Sequence, residues 1–189
     1  MTADEALSLL YQYYPDDTPQ RRILLHHSQQ VRERALRVCD RHPELAPDRT
    51  LVEAGALLHD VGIFRCDAPG IHCHGTSHYL YHGVLGGELL RKAGEPQLAR
   101  ICERHTGTGL HFRHFVDRHL VPPQLLIDDP TDMALTPETI EEEIVCYADK
   151  FYSKSHLERE RSIADTLHSI RKFGQDDAEK FEQWAARFE

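Results

Sequence analysis

The run Leu57-Leu58-His59-Asp60-Val61-Gly62-Ile63-Phe64 sets an imidazole beside a carboxylate inside an otherwise apolar stretch. A buried charge of this kind costs several kcal/mol unless it is paired or holds a metal. A histidine nitrogen and a carboxylate oxygen can both ligate a borderline divalent cation, which would neutralise the carboxylate. Two adjacent ligands cannot fill a coordination sphere, so further His, Asp or Glu residues are expected in apolar helical settings. Four stand out. Asp149 interrupts Val145-Cys146-Tyr147-Ala148-Asp149-Lys150-Phe151-Tyr152 and repeats the problem posed by Asp60. His82 opens the glycine-rich run Tyr81-His82-Gly83-Val84-Leu85-Gly86-Gly87, His105 closes an amphipathic run just before Thr106-Gly107, and His27 sits beside His26 farther upstream. Taken singly, each fits an ordinary structural role at least as well; only the set suggests a metal site.

Helical periodicity supplies the elements that must position them. A helix over 3–14 is stopped by Pro15. Thr18-Pro19 suits an N-cap and first helical position, and Leu24, Val31, Ala35 and Val38 then recur on one face until Pro43. His27 shares that face, whereas His26 points with Gln30, Glu33 and Arg37. The segment 50–59 is apolar nearly all round, as a central helix should be. Further helices are expected over 81–93, 95–105 and 138–155, the last entered through Thr136-Pro137, and over 159–173 and 176–188, broken at Gly174. Glu141, Glu142 and Glu143 then fall in a first turn, where negative charge favours the helix dipole. Pro69, Gly70 and Gly75 make 65–81 a loop placed to act as a lid, and 106–135 reads as a mixed loop with at most one short helix. The expected architecture is all-α and a single domain over 1–189. Its core spans about 20–158, with helix 3–14 and the helices of about 159–188 packed on it.

Composition narrows the function classes. A 189-residue chain can bury roughly 70% of its unfolded surface without disulfides. Net charge is -9, from 22 basic and 31 acidic residues, which argues against binding nucleic acid through a basic face. A small anionic substrate stays compatible, because a metal makes one pocket positive on an acidic surface. Five scattered cysteines read as reduced thiols, the acidic N-terminus does not resemble a signal peptide, and no apolar run approaches the ~20 residues of a membrane span. A cytoplasmic protein without membrane contact is expected, its oligomeric state open. The 14 histidines exceed what surface placement requires.

The order His27, His59-Asp60, His82, His105, Asp149, carried by the strings HSQQV, LLHDVGIF, HGVLGGELL, ERHTG and YADKF, resembles the HD-domain phosphohydrolase superfamily, an all-helical fold. The likeness runs from about Ile23 to Ser155. It implies that His27, His59, Asp60 and Asp149 hold one metal, that His82 and His105 add the ligands of binuclear members, and that Asp60 bridges. Such a site binds one or two divalent ions, drawn from Fe, Mn, Zn, Ni, Co or Mg, with iron or manganese favoured. The chemistry implied is attack of a metal-bound hydroxide on a phosphomonoester or phosphoanhydride of a small nucleotide-like substrate. Cations near the site by sequence are Lys150 and Arg104 as catalytic groups, and Arg65 and Lys150 as substrate contacts; a surface ion pair is an equal reading for each arginine.

The sequence also departs from parts of that family. Several HD phosphodiesterases carry a lysine three residues after the doublet aspartate, where this chain has Ile63, and the Gly-Tyr-Pro motif of cyclic-dinucleotide enzymes is missing after His105. The nearer likeness is to small single-domain HD hydrolases. The same six ligands serve mixed-valent di-iron oxygenases of this fold, the alternative function, ranked second on family frequency alone. A metal-binding regulatory module without turnover ranks third. Cys66, His72, Cys73, His74 and His78 are a weak candidate for a separate zinc site, and His111, His114 and His119 read as exposed residues of a polar segment.

Overall fold

A computed structural model describes residues 1–108 and 136–189, which hold eight α-helices and one small sheet. Local chemistry sets the helix boundaries. Thr2 and Glu5 form a capping box that starts α1, Ala3–Tyr13. The Thr18 hydroxyl accepts the N–H of Arg21 at 3.2 Å, and α2 runs Pro19–Arg41 with Leu24, His27, Val31, Ala35 and Val38 buried on one face. Asp48 accepts the N–H groups of Thr50 and Leu51, both at 3.0 Å, so α3 spans Arg49–Leu58 and delivers His59 at its C-cap. Helices α4, His82–Lys92, and α5, Pro96–Arg104, follow one another in sequence and pack closely on each other.

The next helix, α6, covers Ile140–Asp149 and is shorter than the expected 138–155. Thr139, not Thr136, is its N-cap: the Thr139 hydroxyl accepts Glu142 N–H at 3.3 Å while the Glu142 carboxylate accepts Thr139 N–H at 3.4 Å. A reciprocal capping box thus replaces the Thr-Pro start, and Glu141, Glu142 and Glu143 occupy its first turn. At the other end the backbone tightens, with Lys150, Phe151 and Tyr152 N–H groups each bonding three residues back. The chain then leaves as a closed loop, joined where Arg161 N–H donates to Phe151 C=O at 2.9 Å. Helix α7 begins later than the expected 159, at Ile163, because Ser162 caps it through Asp165 N–H, and it ends at Ile170; α8 covers Gln175–Phe188.

Residues 65–81 differ from the expected loop. Three short strands form there: β1, Cys66–Ala68, pairs antiparallel with β2, Cys73–His74, and parallel with β3, Ser77–His78, in the order β2-β1-β3. Strands of two or three residues are too short for an alternating pattern to show in sequence.

The core joins α1, α2, α3, α5, α6 and α8. Leu10, Leu24, Leu58, Tyr147, Phe181 and Trp184 all lie in one buried cluster, each large side chain contributing about 1.5–3 kcal/mol of transfer free energy. Tyr14 ties α1 to the functional region: its hydroxyl donates to Val61 C=O at 2.9 Å and accepts Phe64 N–H at 3.2 Å. Gly62 sits in the same turn against α4, where a Cβ would collide with the His82 carbonyl and the Gly86 amide.

Candidate metal centre

Five segments deliver six side chains to one buried point. His27 comes from the inward face of α2, the doublet from the tight turn ending α3, His82 from the start of α4, His105 from the C-cap of α5, and Asp149 from the end of α6. His27, His59 and Asp60 are fully buried and His82 and His105 nearly so, whereas His26 is exposed. The Asp60 oxygens face different partners. Oδ2 lies 3.2 Å from His27 Nε2 and 3.1 Å from His59 Nε2, while Oδ1 lies 3.3 Å from His82 Nε2 and 3.4 Å from His105 Nε2. Asp149 Oδ1 closes the first set, 3.0 Å from His27 Nε2 and 3.5 Å from His59 Nε2. Among the described residues, two groups have ligand atoms close enough to hold an ion: His27, His59, Asp60, Asp149 and Asp60, His82, His105.

The donor chemistry fits cations. Nδ1–H of His59 donates to Ala56 C=O at 2.7 Å, that of His82 to Tyr79 C=O at 2.6 Å, and that of His105 to Cys102 C=O at 2.6 Å. Carbonyls only accept, so these three rings carry their proton on Nδ1 and, when neutral, turn a lone pair on Nε2 toward the centre. There His82 Nε2 and His105 Nε2 stand 2.9 Å apart, and His27 Nε2 and His59 Nε2 3.2 Å apart. Such facing lone pairs need a proton or a metal between them. Asp60 Oδ1 is buried without a hydrogen bond of sound geometry, the kind of orphan that a bridging role would satisfy.

Electrostatics point the same way. Burial pushes His82 down to about 3 and lowers His105, so both are neutral ligands-in-waiting at pH 7. Burial also opposes protonation of His59, but Asp60 and Asp149 outweigh it and hold that ring up at about 9. Burial would raise both carboxyls, yet Lys154 and His59 around Asp60, and Lys150 and His27 around Asp149, hold them well below the usual range. The two acids thus stay charged and draw positive charge to the centre.

A cavity of about 440 Å³ opens beside this point, walled by Ala68, Ile71, Tyr79, Asp149, Ser153, Lys154 and Arg161 among others. The segment expected as a lid therefore supplies one wall. Lys154, which the sequence reading missed, places Nζ 2.5 Å from Asp60 Oδ2 and 5.9 Å from the Tyr79 ring centroid. Tyr79 in turn stacks on His82, with ring centroids 4.5 Å apart. Nothing in the string Tyr152-Ser153-Lys154-Ser155 marks the lysine except its nearness to Asp149.

The three cations expected from sequence are placed differently. Lys150 bonds His105 C=O at 2.7 Å and Asp149 Oδ2 at 3.0 Å, holding the carboxylate rather than facing the cavity beside it. Arg104 is committed to Thr136 C=O at 2.9 Å and Glu138 at 2.6 Å, and Arg65 to Glu88 at 3.3 Å. Both arginines make the ion pairs that were the equal reading, each with an acid brought in from another segment of the chain. All five cysteines are free and buried, and among the described residues Cys66, His72, Cys73, His74 and His78 take part in no metal-type group. His111, His114 and His119 lie outside the described residues.

The HD domain family matches residues 24–153. The chain is 32% identical over 173 residues to the tRNA (cytidine(56)-2'-O)-methyltransferase of Thermoplasma volcanium, covering 91% of this chain and 42% of that protein. It is 31% identical over 163 residues to the protein of the same name in Picrophilus torridus, covering 86% of this chain and 39% of that one. It therefore spans well under half the length of these two relatives. An uncharacterized protein of Methanocaldococcus jannaschii is 32% identical over 150 residues, 79% of this chain and 74% of that one. Among solved structures, the HD domain of L. monocytogenes phosphodiesterase PgpH superposes with a TM-score of 0.55 at 17% identity, over 93% of this chain and 94% of that one. The same domain in complex with cyclic-di-AMP gives 0.54 at 16% identity, over 95% and 92%. At these identities the likeness is one of fold.

Proposed function

The chain belongs to the HD domain family, and from that premise we propose that it is a metal-dependent phosphohydrolase acting on a phosphomonoester or phosphoanhydride of a small nucleotide-like substrate. His27, His59, Asp60 and Asp149 would hold one divalent cation, and His82 and His105 a second, with Asp60 shared. The observation that carries the reading is the division of the Asp60 oxygens, one toward each histidine pair. When bound, divalent cations would polarise phosphoryl oxygens and bring the ionisation of water toward neutral pH.

The remaining work falls to the chain itself. The Lys154 ammonium is set against the cavity edge of the cluster, where negative charge builds on a transferring phosphoryl group. Tyr79 packs between that lysine and His82, fixing both. Lys150 positions Asp149 through its ion pair while the His105 carbonyl holds the ammonium in place. The Lys154 ammonium pairs with Asp60 at the cavity edge.

Metal analysis of protein purified without added metal, followed by a phosphate-release screen over nucleotides, tests the proposal. We expect up to two divalent ions per chain and metal-dependent release of phosphate or a nucleoside monophosphate. Bound iron with an oxygen-dependent product and no phosphate release would replace hydrolysis with the oxygenase alternative. Methyl transfer is a matter for the longer relatives, of which the matched region is a minority.

A further inference from the structure

Among the described residues, 14 of 15 arginines have a carboxylate partner, from Arg21 with Asp17 to Arg187 with Glu143. Arg161 is the one without. Its backbone N–H is committed to Phe151 C=O at 2.9 Å, which locks its place at the end of the closed loop, while no acid meets its guanidinium. On a chain of net charge -9 an unpaired, half-buried guanidinium is conspicuous.

Its location gives it a use. Arg161 lines both the 440 Å³ cavity at the metal centre and a neighbouring cavity of about 380 Å³, and Ser153 is the other residue common to the two. The second cavity adds His156, Arg159 and His168; its one acid, Asp165, is already paired with Arg159 at 3.1 Å. The loop that carries this wall is fixed by three independent bonds: the Arg161–Phe151 closure, the Ser153–His156 bridge, and Gln30 Nε2 donating to Leu157 C=O at 2.8 Å. A guanidinium held on a pinned loop, with its fork free, is preorganised to receive a tetrahedral oxyanion in bidentate fashion.

We propose that Arg161 is a specificity-determining residue that binds a second phosphoryl group of the substrate, so that the site is built for a nucleotide phosphomonoester carrying a further phosphate. This rests on the phosphohydrolase reading above. In the reaction, water adds across the scissile bond: a new P–O bond forms from the water oxygen, the bond to the leaving ribose oxygen breaks, and that oxygen takes up a proton. The second phosphate is not cleaved; it anchors the nucleotide across the shared wall.

Two nucleotides separate this from simpler accounts: uridine 3′,5′-bisphosphate, which carries a further phosphate, and 5′-UMP, which does not. For the metal-loaded protein, the bisphosphate should show a KM for phosphate release at least about tenfold below that of 5′-UMP, the size expected of a charge-assisted contact, with similar kcat. Arg161→Ala should collapse that preference to within about threefold, and Arg161→Lys should restore part of it. Equal losses on both nucleotides, or an unchanged preference, would overturn the assignment. If the wild type releases phosphate from neither, the monoesterase form of the phosphohydrolase reading has failed. Calorimetric binding of the same pair then decides on Arg161 alone: equal affinity of the wild type for the two refutes it, and a preference for the bisphosphate lost in Arg161→Ala upholds it.

Discussion

The centre and the wall beside it are built on opposite principles. The six candidate ligands come from helix faces and helix ends, buried, with three imidazoles pinned by their own backbone carbonyls. Lys154 and Arg161 come from a loop that has no regular secondary structure and is held by backbone closure. Rigid helices set atoms to within fractions of an ångström, as a coordination sphere requires. A pinned loop places charge at the mouth, where a substrate must enter and leave. The contrast implies that damage to the two regions should differ in kind: metal content for one, substrate handling for the other.

The largest expected effect is at the shared carboxylate. Asp60→Ala should reduce metal content to near zero and abolish turnover, whereas His82→Ala should lose one of two ions and keep the other. Elemental analysis of the purified variants reads both outcomes. Retention of two ions in Asp60→Ala would break the comparison, because the centre would no longer depend on its most buried acid.

Next is Lys154→Met. If the wall serves substrate, this change should lower kcat/KM by about 10²–10³, the cost of removing one charge-stabilising donor, with metal stoichiometry intact. A loss of metal in this variant would move Lys154 into the centre and erase the division.

The same division explains what could be read in advance. Asp60 and Asp149 were legible because each breaks an apolar helical run, and His27 because it shares a face with Leu24 and Val31 while His26 does not. Lys154 and Arg161 left no such trace, since a polar loop has no periodicity and its closure is a tertiary event. The all-helical class was legible from periodicity, yet α6 began and ended elsewhere than expected. Its start was set by a capping box competing with Thr136-Pro137, and its end by three-residue turns that no residue pattern announces. The strands β1 to β3 were hidden because pairing between two-residue segments is a product of the turns around them.

A smaller effect sharpens the contrast at the level of packing. Gly62 is wedged against the His82 carbonyl and the Gly86 amide, whereas Gly70, on the cavity side, has no atom within 4 Å of where a Cβ would stand. Gly62→Ala should therefore cost about 1–3 kcal/mol, and Gly70→Ala should stay within about 0.5 kcal/mol of the wild type. Chemical denaturation of both variants measures the difference. Equal cost would mean that the wall is packed as tightly as the centre.

The smallest effect lies outside both regions, where Arg104 went instead of the active site. Arg100 and Arg104 hold the exposed Glu138 carboxyl down to about 2, against an ordinary value of 4.5. A depressed carboxyl stabilises the fold above its unfolded pKa, and that contribution fades as pH falls from 4.5 through about 2. Glu138→Gln removes the charge at every pH, so the variant should melt slightly below the wild type at pH 7, and the gap should close as both are taken toward pH 2. Melting temperatures across that range decide it. A gap that stays constant would mean that Glu138 acts through packing and not through charge.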